Sequence, residues 1–171
     1  MRKLLLAVAL GLFGTAAAQQ HDMLTKKHWL VEANTNFGAL SPSNTSIGFM
    51  NTKDQTMFRI GGEVGYLILD NLAIKGGLGF TYDKVGDMEP EMFVNYKAGI
   101  KYYLANFVPI QFDLSARSNK EVNNYRVGFQ GGYAWFLSDY VSLEPGLRYD
   151  MSVEGGGEDV FSGNVGFVLH F

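Results

Sequence analysis

The sequence of 171 residues contains no cysteine. This absence excludes a disulfide-stapled scaffold, a thiolate zinc site and a cysteine nucleophile. Positive charge is also in short supply, since 14 basic residues against 17 acidic ones give a formal charge of −3. A nucleic-acid-binding protein would instead present a basic surface. The length is that of one domain, and we expect no nucleic-acid partner.

Long apolar runs are missing after the first 18 residues, so we expect no transmembrane helix, which needs ~18 such residues in a row. At the N-terminus, Arg2 and Lys3 precede an apolar stretch over 4–13 and then a run of small residues. This order is typical of a cleaved secretory signal peptide. A membrane anchor is less favoured, because the apolar stretch is too short to span ~30 Å as a helix. We therefore predict a signal peptide over 1–18 and an exported domain over 19–171.

The sequence does have strong period-two patterning. Segments of about ten residues alternate between apolar and polar side chains, which indicates β-strands with two different environments. Eight such segments align by parity, over 29–38, 58–68, 72–82, 94–104, 108–117, 124–135, 141–150 and 161–171. The apolar face of these segments carries no charge, whereas the opposite face carries seven basic and five acidic residues.

Aromatic residues border the apolar face at both ends of the segments, as they do on the lipid-facing surface of a membrane barrel. One end carries Trp29, Tyr66, Tyr102, Trp135 and Phe171, and the other carries Phe37, Phe58, Tyr82, Tyr125, Tyr149 and Phe161. The connections 69–71, 105–107 and 138–140 have three residues each and alternate with generally longer ones. Short periplasmic turns and longer outer loops are the asymmetry expected of such a barrel.

Strands can cross hydrocarbon only in a closed barrel, because each unpaired backbone group there costs several kcal/mol. We therefore predict an all-β fold, an eight-stranded antiparallel transmembrane up-and-down β-barrel. Pro109 and Pro145 fit this prediction poorly, since a closed barrel offers proline no free edge. We expect a bulge or a local break at Pro145.

With its signal peptide, eight segments, hairpin sequence over 65–71 and terminal segment over 165–171, the chain resembles the OmpA/OmpX-type family of small outer-membrane barrels. The resemblance implies a porin-like barrel in the outer membrane of a Gram-negative cell envelope. It also implies two partners, the membrane lipid and the barrel-assembly machinery during biogenesis. In this family a last strand that ends in an aromatic residue resembles the assembly signal, which would carry over to Phe167, Leu169 and Phe171.

The charged residues of the polar face are predicted to form a network inside the barrel. They are Glu32, Arg59, Glu63, Lys75, Lys97, Lys101, Asp113, Arg117, Arg126, Glu144, Arg148 and Asp150. Pairing across the short turns places Lys75 diagonal to Glu63 and Lys101 diagonal to Asp113, and it places Arg148 opposite Gln130.

The charged network has two interpretations. In the first, the charges pair because buried charges must be compensated, and they plug the lumen. In the second, Arg59, Lys97, Arg126 and Arg148 line a narrow, weakly anion-attracting pore. The resemblance favours the plug, since an eight-stranded barrel has an interior just wide enough for side chains.

The sequence gives little support for catalysis, metal binding or phosphate binding. Catalysis would need a nucleophile with a base within reach, yet the histidines, His21, His28 and His170, all fall at the periplasmic end, away from any outer-rim serine. Histidines without further ligands are more often interfacial than metal-bound, so we expect neither a metal nor another cofactor. The glycine-rich stretches lack the lysine of a phosphate-binding loop and fit close packing in the lumen.

We therefore expect a non-enzymatic outer-membrane barrel with a structural or surface-interaction role and a plugged, salt-bridged interior. The outer connections carry nine acidic against three basic residues, which is most often a solvated surface. They identify no surface partner. One alternative function is a small-solute porin. A second is a secreted soluble barrel that binds an apolar ligand, which would require Phe167 and its face to point inward.

Overall fold

The structure is a computed structural model that describes residues 22–38, 45–119, 123–153 and 158–171. The predicted signal peptide lies outside the described residues. Within the described ranges no helix is both long and apolar enough to cross a membrane. A short 3₁₀ turn, Asp22–Leu24, precedes strands β1 (Trp29–Gly38), β2 (Ser46–Asn51), β3 (Gln55–Leu69), β4 (Leu72–Val85), β5 (Glu91–Leu104), β6 (Val108–Ser118), β7 (Asn123–Gly132), β8 (Trp135–Ser138), β9 (Val141–Ser152) and β10 (Val160–His170).

The strands form a closed barrel, because β10 pairs both with β9 and with β1. In the described part of the chain nine strands make the ring, and β8 lies outside it and pairs only with the start of β9. The prediction of eight strands was therefore wrong. The prediction of a purely antiparallel barrel was also wrong, because β2 runs parallel to β1.

The extra strand enters the ring between β1 and β3. These two strands pair directly only near the barrel end that carries the short turns (the turn end), through 29–32 and 63–66. Beyond that point β2 separates them, held to β1 through Asn34↔Ser46 and Thr35↔Ile47 and to β3 over 48–51. Because β2 has six residues, it is shorter than the ten-residue segments by which the sequence pattern was recognised.

The sixth predicted segment is divided into β7 and β8 at Tyr133 and Ala134, opposite Pro145. The Tyr133 amide donates to the Pro145 carbonyl at 3.0 Å, and the Ala134 amide turns away to the Phe107 carbonyl at 2.7 Å. A Cβ on Gly132 would lie 2.5 Å from the Pro145 oxygen, so only glycine allows this approach. The local break expected at Pro145 therefore occurs not in β9 itself but opposite it, between β7 and β8.

A row of paired residues, followed from strand to strand around the barrel, returns to β1 at a different level along that strand. One row contains Gly38, Ser162, Arg148, Gln130, Gln111, Lys101, Ala73 and Leu67. The Leu67 amide then donates to the carbonyl of His28, ten residues before Gly38 in the sequence. This offset is the shear of the barrel, which tilts its strands against the barrel axis.

The outer surface carries the apolar face of the strands, as Leu78 and Phe129, exposed by 64% and 52%, illustrate. Tyr66 near the turn end and Phe58 near the other end are eight residues apart on β3. In a strand tilted by about 40° this separation is about 20 Å of height. The apolar band therefore approaches the ~25 Å height of a lipid-facing belt.

Candidate functional site

The charged residues of the polar face lie in the barrel interior. Eleven of the twelve are buried, and Arg117 is half-buried. Their neighbours along each strand point outward, because successive side chains of a strand alternate between its two faces. The interior divides along the barrel axis into an apolar turn end, two ionic groups and an arginine-rich outer end opposite the short turns.

Three carboxylates and three ammonium groups form one continuous chain of alternating charge. In order of contact they are Lys97, Glu63, Lys75, Glu32, Lys101 and Glu144, with N–O distances of 2.7, 2.8, 2.6, 2.8 and 2.5 Å. The Tyr103 hydroxyl donates to the far oxygen of Glu144 at 2.8 Å and ends the chain. Because the charges balance and are bridged side by side, this cluster compensates its own burial.

A second ionic group surrounds Arg148, which is fully buried. Its guanidinium donates to Asp113 through both terminal nitrogens, at 2.7 and 2.8 Å, and to Asp150 at 2.7 and 3.0 Å. Two-pronged contacts of this kind are among the strongest that arginine makes. Asp113 is therefore engaged by Arg148 and not by Lys101, whose ion pairs are with Glu32 and Glu144.

The outer end of the interior holds the remaining arginines. Arg117 lies 3.5 Å from Asp83 and stacks its guanidinium 3.4 Å from the centre of the Phe93 ring. Arg126 donates to the backbone carbonyl of Glu158 at 2.8 Å, and Arg59 lies 3.4 Å from the Ser46 hydroxyl. Basic residues are thus more numerous here, whereas acids and bases balance more closely deeper in the barrel.

The mouth of the barrel at the turn end is covered by the chain segment that precedes β1. The buried Leu24 packs there in an apolar cluster with Leu30, Leu67, Ala73, Tyr103, Ala134 and Val168. The Asn71 amide donates to the Leu24 carbonyl at 2.8 Å, and the Lys27 amide donates to the Leu67 carbonyl at 2.8 Å. Sequence analysis missed this closure, because a single leucine outside the alternating segments has no periodicity to mark it.

Thr45 fills the interior at mid-height. It is fully buried, and its hydroxyl donates to Glu63 at 2.7 Å. A Cβ on Gly61 would lie 2.9 Å from the Thr45 carbonyl carbon, and one on Gly77 would lie 3.1 Å from its hydroxyl. The inward-facing glycines of β3 and β4 therefore make room for a strand connection, in addition to the close packing expected from the sequence.

His170 is buried inside the barrel, so the expectation that it would be interfacial was wrong. Its Nε2 atom lies 2.9 Å from the Ser142 hydroxyl, which also donates to Glu144 at 3.2 Å. Sequence reasoning considered only outer-rim serines and missed this contact. Ser142 and His170 are both inaccessible to solvent, so a substrate in solution could not reach them. His28 makes its contact locally, with the Thr25 carbonyl at 3.0 Å.

The three residues of the expected assembly signal point outward from β10 and its end. Phe167 is 43% exposed and Phe171 is 59% exposed, while Leu169 between them is half-buried. Phe171 exchanges backbone hydrogen bonds of 2.8 and 2.9 Å with Trp29. The end of the last strand is thereby joined to the start of the first.

The fold and the interior define this protein as a closed β-barrel with a filled, charged lumen. No family model matches the chain, and no curated protein matches it. It is similar to the crystal structure of the N-terminal β-barrel domain of Pseudomonas aeruginosa OprF, with a TM-score of 0.49 and 12% sequence identity. The alignment covers 85% of this chain and 98% of that one. The function is therefore argued from the chain's own geometry.

Proposed function

We propose that this protein is an integral outer-membrane β-barrel with a closed interior, a structural or surface-interaction role and no enzymatic activity. The observation that carries the proposal is the inverted distribution of polarity. The barrel encloses its charged residues and exposes its large apolar side chains all around its wall. A protein in water would bury the latter, whereas lipid solvates them.

A closed interior is supported by three successive obstructions. Leu24 covers the periplasmic mouth, the alternating chain of lysines and glutamates crosses the lumen above it, and Thr45 packs against Glu63 higher up. A small-solute porin would require a continuous path past all three. The soluble barrel would require Phe167 to point inward, and Phe167 points outward.

The proposed role is passive. Among the described residues the serine–histidine contact is sealed inside the barrel, which argues against hydrolytic chemistry. The proposed partners are therefore the membrane lipid, the assembly machinery during insertion and a surface partner of unknown chemistry at the outer connections.

The proposal is tested by planar-bilayer conductance of the refolded protein over residues 19–171, with Arg148→Ala as the comparison. We expect no conductance steps from either protein, because the other obstructions remain when Arg148 is shortened. A heat-dependent shift in gel mobility confirms that each sample is folded. Discrete conductance steps that the substitution alters would contradict the closed interior and support the porin alternative.

Location is tested separately by fractionating the cells that produce the full chain. We expect the protein in the outer-membrane fraction and a mature N-terminus at Gln19. Recovery in the soluble fraction would contradict the membrane assignment, whatever the conductance result.

A further inference from the structure

A groove on the outer wall of the barrel has no role in the proposal above. It lies where β1, β3 and β4 meet near their periplasmic ends, and its volume is about 450 Å³. This volume falls in the range of small-ligand sites, about 300–1,000 Å³. The lining includes Trp29, Val64, Tyr66, Ile74 and Gly76, so the walls are almost entirely apolar.

The groove exists because glycine occupies an outward-facing position. Gly76 pairs with Val64 on one side and Ala98 on the other, so no long side chain covers it. A Cβ at Gly76 would have the Lys97 carbonyl oxygen as its nearest neighbour, at 4.0 Å. The space above the glycine is therefore open. The rings of Trp29 and Tyr66, with centroids 4.9 Å apart, close the periplasmic end of the groove.

Two cationic residues precede Trp29 in the chain, by two and three positions. Lys26 and Lys27 are exposed, and among the described residues neither ammonium group has an ion-pair partner. The Lys27 amide donates to the Leu67 carbonyl, next to Tyr66, at 2.8 Å. The Lys26 amide donates to the Asp70 carboxylate, in the turn after β3, at 2.9 Å. The lysine backbone is thus held at the periplasmic edge of the groove.

We propose that this groove binds one acyl chain of an anionic phospholipid in the periplasmic leaflet, with the lipid phosphate at Lys26 and Lys27. The inference rests on the membrane location proposed above. The apolar walls match a hydrocarbon chain, and the aromatic pair lies where the headgroup region begins. Each lysine near a membrane surface strengthens the binding of anionic lipid by roughly fivefold.

The chain contains two tryptophans, which provide a reporter and its control. Trp29 lines the groove, whereas Trp135 on β8 does not. The variants Trp135→Phe and Trp29→Phe each leave one of them. Both are refolded into phosphatidylcholine vesicles that contain increasing fractions of phosphatidylglycerol brominated in its acyl chains, because bromine quenches tryptophan fluorescence on contact. We expect Trp29 to be half-quenched at a several-fold lower fraction of brominated lipid than Trp135.

Gly76→Leu in the Trp135→Phe background fills the groove and should raise the half-quenching fraction to that of Trp135. Gly131→Leu is the matched control, because Gly131 also has an open position for a Cβ. Gly131 pairs with Ile110 and Leu147 on a different part of the wall and does not line the groove. We expect Gly131→Leu to leave the quenching of Trp29 unchanged.

The headgroup contact is tested with the double variant Lys26→Gln, Lys27→Gln in the same background. The preference of the Trp29 site for brominated phosphatidylglycerol over brominated phosphatidylcholine should fall by roughly fivefold for each lysine removed. If the preference for phosphatidylglycerol is unchanged, the lysines do not bind the lipid phosphate, and that part of the proposal is wrong.

Equal quenching of Trp29 and Trp135, or equal effects of Gly76→Leu and Gly131→Leu, would overturn the lipid site and leave the membrane barrel intact. No quenching of either tryptophan by any brominated lipid would instead show that the barrel is outside the bilayer, so the proposed function itself would fail. Heat-dependent gel mobility identifies folded samples. If Gly76→Leu does not fold, Gly76→Ala replaces it, with a smaller shift expected in the same direction.

Discussion

Phe129 and Gln130 are consecutive residues of β7 with opposite surroundings. Phe129 is 52% exposed on the outer wall, whereas Gln130 points inward and accepts a hydrogen bond from Arg148 at 3.4 Å. The same alternation separates the apolar belt from the ionic interior around the barrel. At the scale of single residues, the face on which a side chain lies therefore decides whether a charge there stabilises or destabilises the protein.

Phe129→Arg should block assembly or lower the free energy of unfolding by about 2–4 kcal/mol, because it places a cation in the middle of the apolar belt that we propose faces lipid. The measurement is denaturant unfolding of the protein refolded in vesicles. Phe129→Leu, which keeps the site apolar, should remain folded and serves as control. Wild-type stability of Phe129→Arg would contradict the lipid-facing assignment.

Lys101→Met should lower the free energy of unfolding by about 3–5 kcal/mol, because Glu32 and Glu144 lose their shared buried partner. Adding Glu144→Gln should restore part of the loss, since one uncompensated charge is removed. Lys53→Met, on an exposed connection, should change stability by less than about 0.5 kcal/mol. Equal effects of Lys101→Met and Lys53→Met would mean that the interior pairs contribute nothing measurable.

At the scale of elements, the hairpins differ in how their turns reverse the chain. The central residues of the short connections 69–71, 105–107 and 138–140 are Asp70, Asn106 and Asp139, and these residue types tolerate left-handed backbone. In these turns the positive φ angles occur at Asn71, Ala105 and Asn106, at 65°, 51° and 70°, so of the three central residues only Asn106 is left-handed. The β5–β6 turn thus contains two consecutive left-handed residues, and one of them is an alanine.

Ala105→Gly should stabilise the barrel by about 0.5–1 kcal/mol, because alanine in a left-handed conformation costs roughly 1–2 kcal/mol and glycine returns part of this as chain entropy. Ala98→Gly within β5 should have the opposite sign, at a cost of about 0.5–1 kcal/mol. Both are measured by denaturant unfolding. Destabilisation by Ala105→Gly would contradict the left-handed turn.

The β9–β10 connection has a titratable contact at its outer end. The Tyr149 hydroxyl donates to Asp159 at 2.6 Å, and the Ser152 amide donates to the other carboxylate oxygen at 3.1 Å. These bonds favour the ionised carboxylate and hold the pKa of Asp159 below its usual range. The contact therefore stabilises the folded protein at pH values above the ordinary aspartate pKa. This stabilisation is lost as the pH falls through the lowered pKa of Asp159.

Tyr149→Phe should raise the pKa of Asp159 towards its ordinary value, because the hydroxyl is the largest cause of the lowering. NMR titration of the Asp159 carboxyl carbon in the wild-type and variant proteins measures the pKa. An unchanged pKa of Asp159 would mean that the contact does not form in solution.

At the scale of the whole molecule, closure of the ring determines what the interior can hold. The pairing of β1 with β10 covers nine residue pairs, whereas β1 and β2 share two. Closure joins the two ends of the described barrel, so the ionic groups meet across a lumen of fixed width. Side chains from strands far apart in sequence, such as Lys101 and Glu32, then come within 2.8 Å.

The double variant Ala33→Cys, Phe167→Cys should form a disulfide on oxidation, because these residues face each other across the β1–β10 pair and opposed strand residues have the Cα separation that a disulfide needs. The natural chain has no cysteine, so no background thiol competes. Ala33→Cys, Phe161→Cys is the control and should stay reduced, since Phe161 is six residues away on β10. Equal cross-linking of both pairs would contradict the closed register.

The sequence by itself determined which side chains lie on the outer wall and which face the interior. Alternation is a local property of extended backbone, so parity alone assigns Phe129 and Phe167 outward and Lys75 and Arg148 inward. The closed all-β architecture follows from the same pattern, because an apolar wall in lipid allows no free strand edge. The diagonal pair of Lys75 and Glu63 could likewise be predicted, since it depends only on a short turn.

Only the tertiary structure decided the number of strands, the partners of Lys101 and the closure by Leu24. Each depends on segments distant in sequence, and no local periodicity encodes their relative position. Ser46–Asn51 becomes a ring strand because β1 and β3 diverge in space, and Lys101 meets Glu32 because the shear brings their strands to one level. Alternation in the sequence predicts on which face of its strand a side chain lies, whereas barrel closure and shear determine which side chains of other strands it contacts.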